Sequence, residues 1–366
     1  MGTPAYQSLS GLNDGGPLMQ TSTLTPALSP AVSQAIHQLR VPLILAVMML
    51  HTLPLLRFEQ SPLWLMLEQT LRVARPLFFF CAAYLLFRHW QSGWSAHRQL
   101  VQHRLVRLGL PLLVWGLLLF LAYQVLLKFG PVHWVNNPAG ASAGSAAEFV
   151  ALIVGIDRNP LAYQFWFIRD LLLLTVLAPL VFLLWRLLRL TLALVFVALF
   201  LCQQWPWFQP ALVSTVFFVL GAVAALEGAS LKLPDRLFQA LLLSWIGLIG
   251  LFTFTAGTDV APDMLWAWPL SIVAGALWVW NLMLRQAQQP VVAGTGVRSD
   301  TVFFVFAAHE PLLTLSGKIW HQLVPQPPLD ILLIGLPFLL FYLLSTFYRV
   351  LVQPVPLLNL LLVGRR

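Results

Sequence analysis

The chain alternates ten apolar stretches with short polar breaks, and each stretch approaches the ~20 residues that a helix needs to cross a bilayer. They cover 38–57, 73–90, 107–127, 164–185, 187–204, 207–227, 236–255, 263–285, 301–320 and 328–351. Backbone inside lipid must satisfy its own N–H and C=O groups, so stretches of this length fold as helices. Charge leads to the same conclusion. Only 9% of the 366 residues are charged and 59% are hydrophobic, against roughly a quarter charged in a soluble globular chain. A soluble protein this apolar could not cover its surface. The expected fold is an all-α polytopic membrane helix bundle with about ten transmembrane helices.

A net charge of +8 would suit nucleic acid if it gathered on one soluble face. Here the basic residues sit between apolar runs, where positive charge sets orientation, so no nucleic-acid partner is expected. With the amino terminus inside, fourteen of the 21 Lys and Arg fall in cytoplasmic segments and six on the opposite side, with Arg169 inside a span. The bias puts both termini in the cytoplasm. Short turns around Arg186 and Pro206 imply antiparallel neighbours. Residues 1–36 are rich in Ser, Thr, Pro and Gly and hold no Lys or Arg. That composition predicts a disordered cytoplasmic tail rather than a signal peptide. The membrane domain is expected over 37–353, with 354–366 as a short cytoplasmic tail. Two longer connections stand out: a basic amphipathic stretch over 88–107 inside, and a Gly-, Ala- and Asn-rich loop over 128–163 outside. Cys81 and Cys202 lie in apolar segments and read as small buried hydrophobes, with neither disulfide nor metal spacing. No metal site is expected.

Ionisable groups within a span are costly and usually face a cavity or a partner. In LRVPLILAVMMLHTLPLL, Arg40 and His51 are eleven residues apart. At 100° per residue that falls within about 20° of three turns, so both share one helix face about 16 Å apart. Arg40 falls at the inner surface, where a guanidinium can hold phosphate bidentately. His51 falls near mid-membrane, where a buried imidazole stays neutral and can take a proton. Separately, the arginine could be a topology anchor and the histidine an interhelical hydrogen-bonding group. In FFVFAAHEPLLTL, His309 and Glu310 also lie deep, as a polar clasp or as part of a site. Arg169 and Asp170 in QFWFIRDLLLL point about 100° apart and are expected to pair with other helices. They serve either a structural ion pair or an acceptor site. Trp166 and Phe167 suit an interfacial aromatic belt. His103, Arg104 and Arg107 lie on the Arg40 side, as anchors or as a seat for the phosphates of a nucleotide-like donor.

These residues together resemble the acyltransferase-3 family of integral membrane O-acyltransferases. Arg40 and His51 reproduce that family's first-helix spacing of arginine, ten residues, then histidine. RPLFFFCAAYLLFR (75–88) looks like its aromatic second helix, and HRLVRLGLPLLVW (103–115) like its basic lead-in with a proline. YQFWFIRDLLLLTVLAPL (163–180) is similar to its Trp-Phe-Leu segment, and FFVFAAHEPLL (303–313) to its late Phe-Phe-to-His helix. The matches run in order over about 37–320. Ala82 and Ala83 replace the usual Ser-Gly, which alters helix packing, and His37 stands where an acidic residue often precedes the arginine.

The resemblance implies transfer of an acyl group from cytoplasmic acyl-CoA to a hydroxyl of a cell-surface or exported carbohydrate, in the bacterial inner membrane. The default group is acetyl from acetyl-CoA, with succinyl as the alternative. In that scheme Arg40, Arg104 and Arg107 bind the phosphates and His51 is general base. His309 or Glu310 orients His51 or polarises the thioester, and Trp166, Arg169 and Asp170 meet the acceptor. No hydrolase-like domain follows, so the membrane domain or a separate protein is expected to complete transfer. The competing class is a proton-coupled multi-pass transporter, or a flippase of a glycan or lipid-linked sugar. Against it, the sequence shows neither repeated halves nor Gly/Pro-broken helices in matching positions.

Overall fold

The computed structural model describes residues 30–58, 61–91, 93–130, 143–229, 231–256, 266–288 and 297–365. Most of the expected amino-terminal tail, residues 131–142 of the long outer loop and Arg366 lie outside the described residues. The helices are α1 Pro30–Thr52, α2 Pro62–Leu71, α3 Ala74–Arg88, α4 Trp94–Arg104, α5 Leu110–Phe129, α6 Ala146–Val154, α7 Trp166–Val176 and α8 Ala178–Leu188. They continue as α9 Leu190–Leu201, α10 Leu212–Leu226, α11 Asp235–Thr255, α12 Ala267–Gln286, α13 Ser299–Leu323, α14 Leu336–Phe347 and α15 Pro356–Val363. No strand occurs among the described residues.

Seven helical runs are long and apolar enough to cross a bilayer, or eight if the bent pair Tyr163–Val176 and Ala178–Leu188 is one span. The other two expected spans correspond to the shorter apolar helices Leu190–Leu201 and Leu212–Leu226. The order of apolar stretches is therefore reproduced, but two of the helices, of 12 and 15 residues, are shorter than the ~20 a straight crossing needs. The fourth stretch bends by 59°. Pro179, in the first turn of α8, cannot supply the N–H that would carry the helix straight through.

Three boundaries differ from the sequence reading. α1 begins at Pro30, and Val32, Ala35 and Ile36 are buried within the core rather than part of a polar tail. The basic stretch before the third span is helical, and Trp94–Phe129 forms one run of 36 residues. A wide turn joins α4 to α5, in which Leu110 N–H bonds back to the Leu105 carbonyl, five residues away. The 354–366 segment holds α15, whose eight residues are too few to span a membrane but apolar enough to dock. Trp115 Nε1 of α5 donates to the Leu362 carbonyl at 3.1 Å, and Tyr348 Oη to Asn359 Oδ1 at 2.9 Å.

The most enclosed helices are α3 and α10, each with eleven of fifteen residues buried, and they lie against each other. The two backbones touch because residue 221 is glycine, and any Cβ there would strike the Phe80 carbonyl. α1 packs on α12, α13 and α3, which places its Arg40–His51 face toward the middle of the bundle. The outer surface inverts the soluble pattern. Leu117, Leu121 and Val125 of α5, Leu194 of α9, and Phe338, Leu339 and Leu343 of α14 are all exposed. Apolar surface this extensive on several helices is what lipid-facing walls require.

Candidate active site

The common face of α1 lines a cavity of about 720 Å³. Ile36, Arg40, Leu43, Val47 and His51 supply one wall, in a helical stripe that reaches from one end to the other. α3 adds Arg75, Phe78, Cys81 and Ala82, α7 adds Trp166 and Phe167, and α13 adds Ser299, Asp300, Phe303 and Phe306. The middle is apolar and the two ends are polar.

At the Arg40 end, the buried Asp300 is 3% exposed and gathers the basic groups. Arg365 donates to its carboxylate, Arg298 lies 3.5 Å away and Arg107 3.9 Å. Arg40 donates to the neighbouring Ser299 hydroxyl, and Arg104 lines the same end. Five guanidinium groups thus gather near one carboxylate, beside the first turn of α13. Such an arrangement binds anions, since a helix amino terminus and guanidinium forks both favour phosphate. The wide turn at Leu105–Gly109 positions Arg104 and Arg107, and such turns often mark functional sites.

At the opposite end, the His51 and His309 rings meet edge-on, with centroids 5.2 Å apart and planes at 67°. Tyr163 stands 6.1 Å from His51 on another side. His309 is fully buried, and its Nδ1 lies 2.6 Å from the Phe306 carbonyl oxygen. A carbonyl only accepts, so this bond assigns the proton to Nδ1 and leaves Nε2 a bare acceptor. Glu68, Arg72 and Arg75 complete this end. Arg72 pairs with Glu68 at 2.6 Å, while the Arg75 guanidinium lies over the Trp166 ring, 5.9 Å from its centroid.

The acyltransferase domain family's sequence profile matches residues 33–352. The chain belongs to that family. A relative, the succinoglycan biosynthesis protein ExoH of Rhizobium meliloti (strain 1021), is 24% identical over 260 residues, covering 70% of this chain and 69% of the relative. No solved structure matches the chain. The acyltransferase is an integral membrane enzyme transferring groups other than aminoacyl groups.

Of the residues singled out by sequence, the acyltransferase brings Arg40, Arg104, Arg107, His51 and Trp166 to the cavity wall, with His309 against His51. Phe167 lines the same wall beside Trp166. Glu310 does not join them. It lies about 100° round the helix from His309, and its Oε1 accepts from Thr314 Oγ1 at 3.1 Å. His103 is exposed and lines no part of the cavity. Cys202 is exposed at the end of α9 instead of buried, since the helix stops there and the chain turns away.

Arg169 and Asp170 were expected to avoid each other, but Arg169 Nη2 lies 3.0 Å from Asp170 Oδ1. The long arginine side chain curls back over the intervening angle. Its Nη1 donates to the carbonyls of Gly155 and Arg158, at 2.8 and 2.9 Å. Asp170 Oδ2 accepts from Ala211 N and Ser214 Oγ, at 2.9 and 2.7 Å. The pair is a buried clasp that holds the 155–158 turn and the start of α10, and neither residue lines the cavity. In that turn the exposed Asp157 carboxyl is held below its ordinary range by the Arg158 guanidinium.

Sequence reading missed Arg75, Gln164, Ser299, Asp300 and the carboxy-terminal residues Val363 and Arg365. Arg75 is one of the six basic residues that the charge bias assigns to the outer side, and Gln164 carries no charge. Among the described residues, no group of three or more His, Cys, Asp or Glu could hold a metal ion.

Proposed function

We propose that the acyltransferase carries an acyl group, acetyl by default, from cytoplasmic acyl-CoA to a hydroxyl of a cell-surface or exported carbohydrate. The observation that carries this reading is one cavity with a guanidinium cluster at one end and an imidazole pair at the other. The eleven-residue spacing of Arg40 and His51 separates the ends by about 16 Å. A CoA-type donor has a matching division, a polyanionic head joined by a neutral arm to a thioester. The Lys and Arg bias supports an orientation in the bacterial inner membrane with the guanidinium end and both termini on the cytoplasmic side. The relative named for succinoglycan biosynthesis supports a carbohydrate acceptor.

In the reaction, Arg40, Arg104 and Arg107 hold the donor phosphates. His51 takes the proton of the acceptor hydroxyl as its oxygen attacks the thioester carbonyl carbon. The C–O bond forms, the C–S bond breaks, and the departing thiolate takes the proton from His51, leaving an ester and free CoA thiol. The apolar middle of the cavity keeps water from the thioester.

The test is release of CoA thiol by the purified protein, supplied with acetyl-CoA or succinyl-CoA and a carbohydrate. His51→Gln should lower the rate by about 10²–10⁴-fold, the usual contribution of a general base. Arg40→Lys keeps the charge but loses the bidentate fork, so it should raise KM for acyl-CoA more than it lowers kcat. Carbohydrate-dependent thiol release that survives His51→Gln undiminished would remove the proposed chemistry. A transporter or flippase would release no thiol at all.

A further inference from the structure

α13 carries a proline, Pro311, in its interior. Proline has no N–H, so the carbonyl of Ala307, four residues earlier, loses its helical partner. Gln164, in the turn Tyr163–Phe165 that leads into α7, takes its place: Nε2 donates to the Ala307 carbonyl at 2.7 Å. Because that carbonyl can only accept, the bond fixes the amide, with nitrogen against α13 and oxygen directed away. Gln164 is 2% exposed and lines the cavity, and its Oε1 is buried with no hydrogen-bond partner among the described residues. The same helix leaves a second acceptor in the same state, the buried Nε2 of His309. A buried acceptor left unmatched is costly to a fold. One belongs to a residue of the cavity wall and the other to the ring packed against His51, and neither has a hydrogen to give. What satisfies them must donate.

We propose that Gln164, fixed by the gap Pro311 makes in α13, is a substrate-binding residue whose Oε1 accepts a hydrogen bond from an O–H or N–H of the reacting substrates. This rests on the acyl-transfer reading above. The hydrogen comes from the acceptor hydroxyl or from an amide of the donor's pantetheine arm. The position of Gln164, next to Tyr163 and bonded to the helix that carries His309, puts the bond close to His51. A hydrogen bond there holds the substrate in register with the base.

The test pairs two variants in thiol-release kinetics. Gln164→Leu removes the acceptor and should lower kcat/KM by about ten- to a hundredfold. Pro311→Ala leaves the cavity lining untouched but restores an N–H to Ala307, which releases the Gln164 amide. It should therefore lower kcat/KM in the same direction while thermal stability holds or rises, because an interior proline weakens a helix. A purely structural glutamine predicts the opposite, a more stable enzyme with full activity. In the double variant the two losses should not add, since both act through one contact. A rise confined to the KM for carbohydrate assigns the hydroxyl, and one confined to the KM for acyl-CoA assigns the pantetheine amide. Wild-type kcat/KM in Pro311→Ala, or fully additive losses, would overturn the inference. If the wild type itself releases no thiol, the acyl-transfer reading fails instead, so the two failures are distinct.

Discussion

Gly364→Ala tests whether the carboxy-terminal helix is a working wall of the donor site. Gly364 ends α15 at φ +73°, ψ 23°, a left-handed conformation. An L-residue there costs roughly 1–2 kcal/mol. A Cβ at this position would also stand 2.6 Å from Arg107 Cα and 2.7 Å from its carbonyl carbon. Those are backbone atoms, which cannot swing aside as the tip of a side chain can, and overpacking of this kind adds about 1–3 kcal/mol. The combined penalty is at least about 2 kcal/mol, or roughly 30-fold against the docked position of α15. Undocking draws Val363 from the cavity wall and Arg365 from Asp300. His51 and His309, at the far end, stay in place. The expected outcome is a KM for acyl-CoA raised about tenfold or more, with kcat changed far less. Rates of thiol release against acyl-CoA concentration measure both, and limited proteolysis of the carboxy-terminal segment reports undocking independently. An unchanged KM with the segment demonstrably undocked would refute the reasoning.

Asp170→Asn should act on stability and leave binding alone. Asp170 is fully buried and Arg169 is 5% exposed, so removing the carboxylate leaves a buried cation unpaired, a loss of about 3–5 kcal/mol. The melting temperature in detergent should fall clearly while both KM values of the folded fraction stay at wild type, and a shifted carbohydrate KM at normal stability would return the pair to the acceptor site. For orientation, Ala147→Cys should react with an impermeant maleimide in intact cells and Gln99→Cys only after the membrane is opened, both positions being exposed. The background needs Cys202→Ser because Cys202 is itself exposed. The reverse labelling pattern would put the guanidinium end outside, away from cytoplasmic acyl-CoA.

What the sequence made legible was whatever repeats locally along a helix. The apolar runs gave the order of the bundle, and the Arg40–His51 spacing gave the inward stripe of α1 before any partner helix was known. His309 stood out because an imidazole is rare within such a run. Gln164 did not, because its meaning depends on a carbonyl 143 residues away that only a proline leaves free. The pairing of Arg169 with Asp170 was misjudged because helical angle describes where a side chain starts, and an arginine reaches well beyond that. The 354–366 segment reads as a tail, yet its eight-residue helix α15, too short to cross a bilayer, docks against α5, which needs no such length. Contacts made across the bundle, rather than along one helix, are the part that a single sequence conceals.

The partition of charge in the bundle argues for function more strongly than any single residue. Ionisable groups in hydrocarbon are costly, and a structural one is neutralised by its partner. Arg169 is closed off against Asp170 in this way. Arg57 meets Asp330 at 2.7 Å, and Trp320 Nε1 donates to the same carboxylate. Those charges hold elements together and face no cavity. Arg72 on the cavity wall is likewise paired, with Glu68, but other basic groups on or beside that wall are treated differently. Asp300 is the single carboxylate among five guanidinium groups, and Arg75 has an aromatic face but no ion pair among the described residues. A fold that needed only cohesion would have matched these cations as it matched Arg57 and Arg169. Arg107, Arg298 and Arg365 reach solvent, but leaving the half-buried Arg40 and Arg104 without a carboxylate of their own, beside a space with an apolar middle, lowers stability unless an anion completes them. That excess at the guanidinium end is what the proposed donor, with several negative charges at one terminus, would complete, and the proposed chemistry at its other terminus falls to the His51 end.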